Sequence, residues 1–242
     1  MQPIVTFVYA YYENPGMFEI QQKTWATYTD KQKARLEVIV TDDCSSNSPA
    51  RDHLLPDTGV DLSLYEITEK VKWNWLECRN IGAHYAKGRW LLLTDMDHVV
   101  SPSVIAKIMK QEAYLEPRTV YQFGRVKAPD MSWYKFHNDS FFLTKELFWQ
   151  SGGYDEDFSG LYGTSGMFRN RLFMVADRNK KWDDLPLILY GREVQPDAST
   201  VGMARKEGRD PEAIRKMVHG KKEQGRDIQR FVRPYRKVKV NG

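Results

Sequence analysis

Residues Arg79–Pro102, RNIGAHYAKGRWLLLTDMDHVVSP, decide how this chain is built. Leu76–Lys87 reads as a helix closed by Gly88 near its C-cap. Trp90–Thr94 is an apolar, strand-sized run that stops at Asp95-Met96-Asp97-His98. Ser101 and Pro102 then supply an N-cap and a first-turn proline for another helix, whose apolar face is Val104, Ile105, Ile108, Met109 and Leu115. Helix, buried strand, acidic turn and helix follow one another without a linker.

The same rhythm runs back to the start. Ile4–Val8 is a β-branched strand followed by the loop YAYYENPG, and Met17–Thr27 is helical. Leu36–Thr41 is a second buried strand, halted by the turn formers Asp42-Asp43-Cys44-Ser45-Ser46-Asn47, and Asp61–Ile67 is a third. This alternation over the first 120 residues predicts an α/β fold, its mostly parallel sheet covered by helices on both faces. Ligands on such sheets bind beyond the carboxyl ends of the strands, where both acidic clusters fall. After Val120 the pattern loosens: strands at Tyr121–Arg125 and Asp139–Leu143, an aromatic loop at 128–138, and a short helix at Lys145–Gln150. A Gly- and acid-rich loop at 152–163 and a helix at Phe168–Ala176 follow. A further helix near Pro211–Val218 and an extended end close the chain.

Composition bounds the rest. With 242 residues, 41% hydrophobic and 28% charged, the chain has ample material for a core and is not disordered in bulk. No apolar run approaches the roughly 18–20 residues of a membrane span. No basic leader precedes the first strand, and two cysteines, Cys44 and Cys78, make neither a disulfide scaffold nor a zinc knuckle. A cytoplasmic, reducing setting is expected. Residues 203–242 carry a net +8, so the 202 before them sum to −4. A basic end on an acidic body suggests an anionic partner such as nucleic acid, phosphate or lipid head groups, or else a solvated tail. We expect a main domain over 1–202, with a ligand-binding half at 1–120 and a second half at 121–202, and a basic extension at 203–242.

Asp95 and Asp97 are the sharpest chemical signal. Carboxylates at i and i+2 in extended chain point to one side and can meet a hard divalent cation, Mn2+ or Mg2+, through oxygen. Such a cation would stabilise a departing diphosphate. Trp73, Trp75, Trp133 and Tyr134 offer aromatic faces for a sugar or base, or for the core.

Four segments in order resemble glycosyltransferase family 2, whose members have the GT-A (Rossmann-like) nucleotide-sugar transferase fold. They are VTFVYAYYEN, LEVIVTDDCSSNS, RNIGAHYAKGRWLLLTDMDHVVSP with its DXD motif, and NDSFFLTKELFWQSGGYDEDFSGLYG, together spanning about residues 4–172. The resemblance implies a manganese- or magnesium-dependent transferase that takes a nucleoside-diphosphate sugar, UDP-linked, to an acceptor hydroxyl. It implies that Asp43 hydrogen-bonds the base, that Asp42 supports the turn, and that Tyr9, Tyr11 and Asn14 line the nucleoside pocket. It further places Arg79 near the base or diphosphate, Asp95 at the ribose or metal, and Asp97 as the main metal ligand. A histidine from the C-terminal region would complete the metal site: His219, with His98 and His137 as competitors. Lys216, Lys221 and Lys222 would hold the diphosphate.

The chain departs from the family at one place. Inverting members carry a Glu-Asp pair after the Gly-rich loop, and its acid deprotonates the acceptor. Here Thr164 and Ser165 occupy those positions. A neighbour, Asp155, Glu156 or Asp157, can replace it; the reaction can be retaining; or the chain is an inactive nucleotide-sugar-binding pseudoenzyme. A saccharide, a lipid-linked saccharide, a protein or a hydroxylated base in DNA are all chemically competent acceptors, and the basic end favours a polyanion, hence DNA modification.

Overall fold

A computed structural model describes residues 3–196 and 210–240. The boundary expected between 202 and 203 lies outside the described residues.

β1 (Val5–Tyr11), β2 (Leu36–Asp42), β3 (Asp61–Ile67) and β4 (Trp90–Asp95) are parallel neighbours in the order β3-β2-β1-β4. The helices between them are α1 (Pro15–Ala26), the single turn α2 (Asp30–Lys33) and α3 (Trp75–Tyr85). β5 (His98–Val99) and α4 (Pro102–Gln111) follow the acidic turn. The second half adds β6 (Thr119–Lys127), β7 (Ser132–Trp133), β8 (Phe141–Thr144), α5 (Lys145–Gln150), α6 (Ser165–Val175) and β9 (Arg178–Leu189). α7 (Pro211–Glu223) and β10 (Tyr235–Val238) end the described chain.

Among the described residues all ten strands form one sheet, ordered β10-β3-β2-β1-β4-β8-β6-β9-β5, with β7 paired to β6. The fold is α/β with a parallel first half, as expected, but the sheet as a whole is mixed. β8 joins β4 antiparallel, β6 runs antiparallel to β8, and β10 closes the other edge antiparallel to β3. The extended end is thus a strand of the same sheet, and no element was expected at β9. Its RNKKWDDLPLIL is polar for half its length and holds Pro186, a poor strand signal.

Strand alternation separates two cores. Val5, Phe7, Tyr9 and Tyr11 pack on one face with Trp25 and Trp90, while Val8, Ile39, Leu91 and Leu93 pack on the other with α3, α5 and α6. The register then fixes the site: Ala10 lies beside Asp95, and Tyr11 beside Asp42. The carboxyl ends of β1, β2 and β4 therefore stop level, and the turns that follow them share one rim.

Candidate active site

The turn after β2 is built by carboxylates. Asp42 accepts from the Ser45 N–H at 2.8 Å and the Ala50 N–H at 2.7 Å, so it holds the turn. Glu13 occupies the concavity of the next residues, accepting from the backbone N–H groups of Ser46, Asn47 and Ser48 at 2.6–3.0 Å. Burial opposes its charge, but these bonds outweigh it and hold its carboxyl below the usual range. Asp43 is 4% exposed; one oxygen accepts from the Asn74 N–H at 3.0 Å and the other, Oδ1, has no hydrogen-bond partner. Burial pushes its carboxyl well above the usual range, and Asp42 and Glu77 add to this. A buried acceptor without a donor is costly, and the N–H of a bound base would satisfy it.

Three residues expected around the nucleoside do other work. Tyr9 is fully buried among Phe7 and Trp25, because its place in β1 turns it into the core. Tyr11 is also buried, packs on Phe18 and donates to the Ser48 carbonyl, which ties the Asp43 turn to β1. Asn14 caps α1 through the Met17 N–H.

The turn after β4 is fixed from two sides. Gln21 of α1 donates through Nε2 to the carbonyls of Met96 and His98, both at 2.8 Å. Arg79 of α3 is fully buried, stacks over Trp75, and donates to Asp95 Oδ1 at 2.7 Å, the Asp139 carbonyl at 2.8 Å and the Tyr154 hydroxyl at 2.9 Å. It positions Asp95 rather than presenting itself to a base or diphosphate. Partial burial disfavours charge on Asp95, but His137, Arg79, His98 and Arg125 together bring its carboxyl down to about 2. Asp95 therefore stays ionised throughout the physiological range.

Among the described residues one set of metal-capable donors converges: Asp95, His98 and His137 each offer an atom within 4.8 Å of the others. Both imidazoles already have neighbours. His137 Nδ1 is 2.7 Å from Ser140 Oγ, its ring stacks on His98, and Arg125 stands 3.2 Å from His98 Nε2. The oxygens are freer. Asp97 Oδ1 lies 2.7 Å from His98 Nδ1 in an orientation that leaves both without a hydrogen bond. Asp97, expected as the main ligand, and His219 are not part of this set: Asp97 Oδ1 faces His98 Nδ1, and His219 is exposed on α7 and pairs with Glu223 at 3.0 Å.

The acids expected to stand in for the missing pair are spent on the C-terminal segment. Lys221 Nζ is 2.8 Å from Asp155 and 2.7 Å from Asp157, and Arg226 also reaches Asp157. Glu156 is fully buried and accepts from Asn80 Nδ2 and the Val232 N–H. None of the three is left to meet an acceptor. Lys221 is likewise committed, Lys216 pairs with Glu212, and Lys222 is exposed on α7. Arg233 and Arg236 bind Glu77 and Glu66, so among the described residues four cations of the basic end neutralise acids of the body. Trp73 lies against Tyr162, while Trp133 and Tyr134 remain about half exposed.

One acid went unremarked in the sequence. Asp139, in the turn before β8, has its side chain 24% exposed, Arg169 at 3.7 Å and a buried Oδ1 without a hydrogen-bond partner. Burial raises its carboxyl, opposed by Arg79, Arg169 and the Ser165 hydroxyl. Its only sequence signal is an acid at the mouth of an apolar strand, which the DXD shares.

The sequence model of glycosyl transferase family 2 matches residues 21–178. An uncharacterized glycosyltransferase of Haemophilus influenzae is 28% identical over 82 residues, which are 34% of this chain and 26% of that one. S. aureus TarS in complex with UDP-GlcNAc superposes with a TM-score of 0.62 at 12% identity, covering 78% of this chain and 59% of that one. Mannosyltransferase PcManGT of Pyrobaculum calidifontis, in complex with GDP-Man and Mn2+, gives 0.58 at 20% identity, covering 78% and 57%. This chain thus spans less than two thirds of each of these proteins. The structural likeness establishes the fold, the GT-A α/β arrangement.

Proposed function

This chain belongs to glycosyl transferase family 2, and from that premise we propose that it moves a sugar from a nucleoside-diphosphate sugar to an acceptor hydroxyl, with a divalent cation on the diphosphate. The observation that carries this reading is the shared rim at the ends of β1, β2 and β4. It holds a buried, donor-less carboxylate oxygen on Asp43 beside the charged turn of Asp95 and Asp97. An N–H of the bound base suits Asp43 Oδ1, and a UDP-sugar is the donor that the sequence resemblance implies; the solved relatives in complex with UDP-GlcNAc and GDP-Man support a nucleotide sugar in general.

Asp95 and Asp97 would hold Mn2+ or Mg2+, since hard cations prefer carboxylate oxygen; Asp97 lies outside the converging set of Asp95, His98 and His137, so its carboxylate would have to leave His98 Nδ1 to meet the ion. The cation would neutralise the diphosphate as it leaves. Arg79 and Gln21 keep the carboxylates and the turn in place, which is the preorganisation that such a step requires. On the acceptor side, the half-exposed Trp133 and Tyr134 offer stacking faces for a sugar ring, and Arg125 links Tyr134 to His98. This favours a saccharide acceptor over hydroxylated DNA, because four cations of the basic end that suggested DNA, Lys221, Arg226, Arg233 and Arg236, pair with Asp155, Asp157, Glu77 and Glu66. The competing reading, an inactive nucleotide-sugar-binding chain, rests on Thr164 and Ser165 at the family's acidic positions.

Calorimetric titration with UDP, GDP and CDP in the presence of Mn2+ tests the donor site. One nucleotide is expected to bind tightest, and Asp43→Ala to weaken it about 10-fold, about 1.4 kcal/mol, the upper end of one ordinary hydrogen bond's net contribution. Unchanged affinity in that variant would remove Asp43 from the site.

A further inference from the structure

A carboxylate stands at the place where the family's acid is missing, but it comes from another element. Asp139 lies in the turn before β8, and α6 points its first residues at it. The Ser165 hydroxyl lies beside Asp139, and Arg169, one helical turn later on the same face, is 3.7 Å from Oδ1. From the donor side, Arg79 bonds the Asp139 carbonyl with one nitrogen and Asp95 with the other. One buried guanidinium therefore fixes Asp139 relative to the carboxylate of the donor site.

Asp139 is held more loosely than the other acids of this region: its cationic partner Arg169 stands off at 3.7 Å. Asp155 and Asp157 hold Lys221, and Glu156 holds Asn80 and Val232. The Asp139 side chain keeps some access to solvent, yet Oδ1 is enclosed and has no donor. An acceptor hydroxyl would supply that donor.

Resting on the transferase reading, we infer that Asp139 is the catalytic base of this chain, the acidic function having moved from helix position 165 to the facing turn. In the step, the acceptor O–H bond breaks and its proton passes to the Asp139 carboxylate. The acceptor oxygen uses that electron pair to bond the anomeric carbon. The bond from that carbon to the diphosphate oxygen breaks, and its electrons leave with the nucleoside diphosphate. This is a single displacement and inverts the anomeric centre.

The test measures nucleoside diphosphate released from the active donor with water as acceptor, alongside calorimetric donor affinity. Asp139→Asn is expected to slow release by about 10²–10⁴-fold, the usual contribution of a general base, with donor affinity within about threefold of the parent. Adding Ser165→Asp to Asp139→Asn is expected to recover at least about tenfold of the loss, and early product is expected to show the inverted anomer by NMR. Release within threefold of the parent, retained configuration, or loss of donor affinity together with turnover would each overturn the assignment of Asp139 alone. A parent that releases nothing from any donor would overturn the transferase reading with it.

Discussion

Asp97→Ala is expected to lower metal-dependent turnover by about 10³-fold or more. The side chain ends the turn after β4, with Oδ1 buried and unsatisfied beside His98 Nδ1. Removing it takes away one of the two oxygen ligands proposed for the cation and one of the negative charges that balance Arg125. A cation on a leaving diphosphate contributes several kcal/mol of transition-state stabilisation, and each 1.36 kcal/mol lost is tenfold in rate. The fold should tolerate the change, since the turn is held through backbone carbonyls by Gln21 and by the Tyr190 N–H on the Asp97 carbonyl. Turnover and Mn2+ affinity, measured by electron paramagnetic resonance, are expected to fall together. Near-normal turnover would remove Asp97 from the metal site.

Arg79→Met is expected to destabilise the fold by about 3–5 kcal/mol and to disable the site. Its guanidinium is buried with Trp75 on one side and three acceptors around it. Methionine fills the stem but leaves the Tyr154 hydroxyl, the Asp139 carbonyl and the Asp95 carboxylate without their common donor. Breaking a buried pair from one side costs on the order of this amount, because the partner's charge remains. Because Asp95 is partly open to water, the lower end of the range is expected. Urea denaturation of parent and variant measures the difference, and a loss under about 1 kcal/mol would show that the cluster is held by packing alone.

Local signals carried the first half of the fold. β3 and α5 run over the expected residues, and β2 and β4 each extend one residue beyond them, because apolar alternation, caps and turn formers lie within the element itself. Where stabilisation is non-local the reading failed. β9 is held by β6, and only three of its twelve residues are buried. α6 starts at Ser165 instead of Phe168, and β10 needs β3 as its template.

The acids at the rim divide in the same way. Asp42, Asp43, Asp95 and Asp97, the acids proposed for the site, can be picked out from sequence because turns at strand ends advertise their acids. Glu156 and Asp155 were misread because their partners, Val232 and Lys221, lie 66–76 residues away. Asp139 was overlooked for the mirror reason: its neighbours Arg79 and Ser165 come from α3 and α6, and its own segment has no spacing that marks it. His219 fits a sequence pattern in which the tail folds back to the metal, yet α7 uses Lys221 for contact and leaves His219 outside.

The most direct test of the central claim is to incubate the chain with Mn2+ and a panel of UDP-, GDP- and CDP-sugars and measure free nucleoside diphosphate. The account predicts slow release from one donor, a UDP-sugar, that stops when the metal is chelated. Absence of release from every donor, with or without Mn2+, would contradict it.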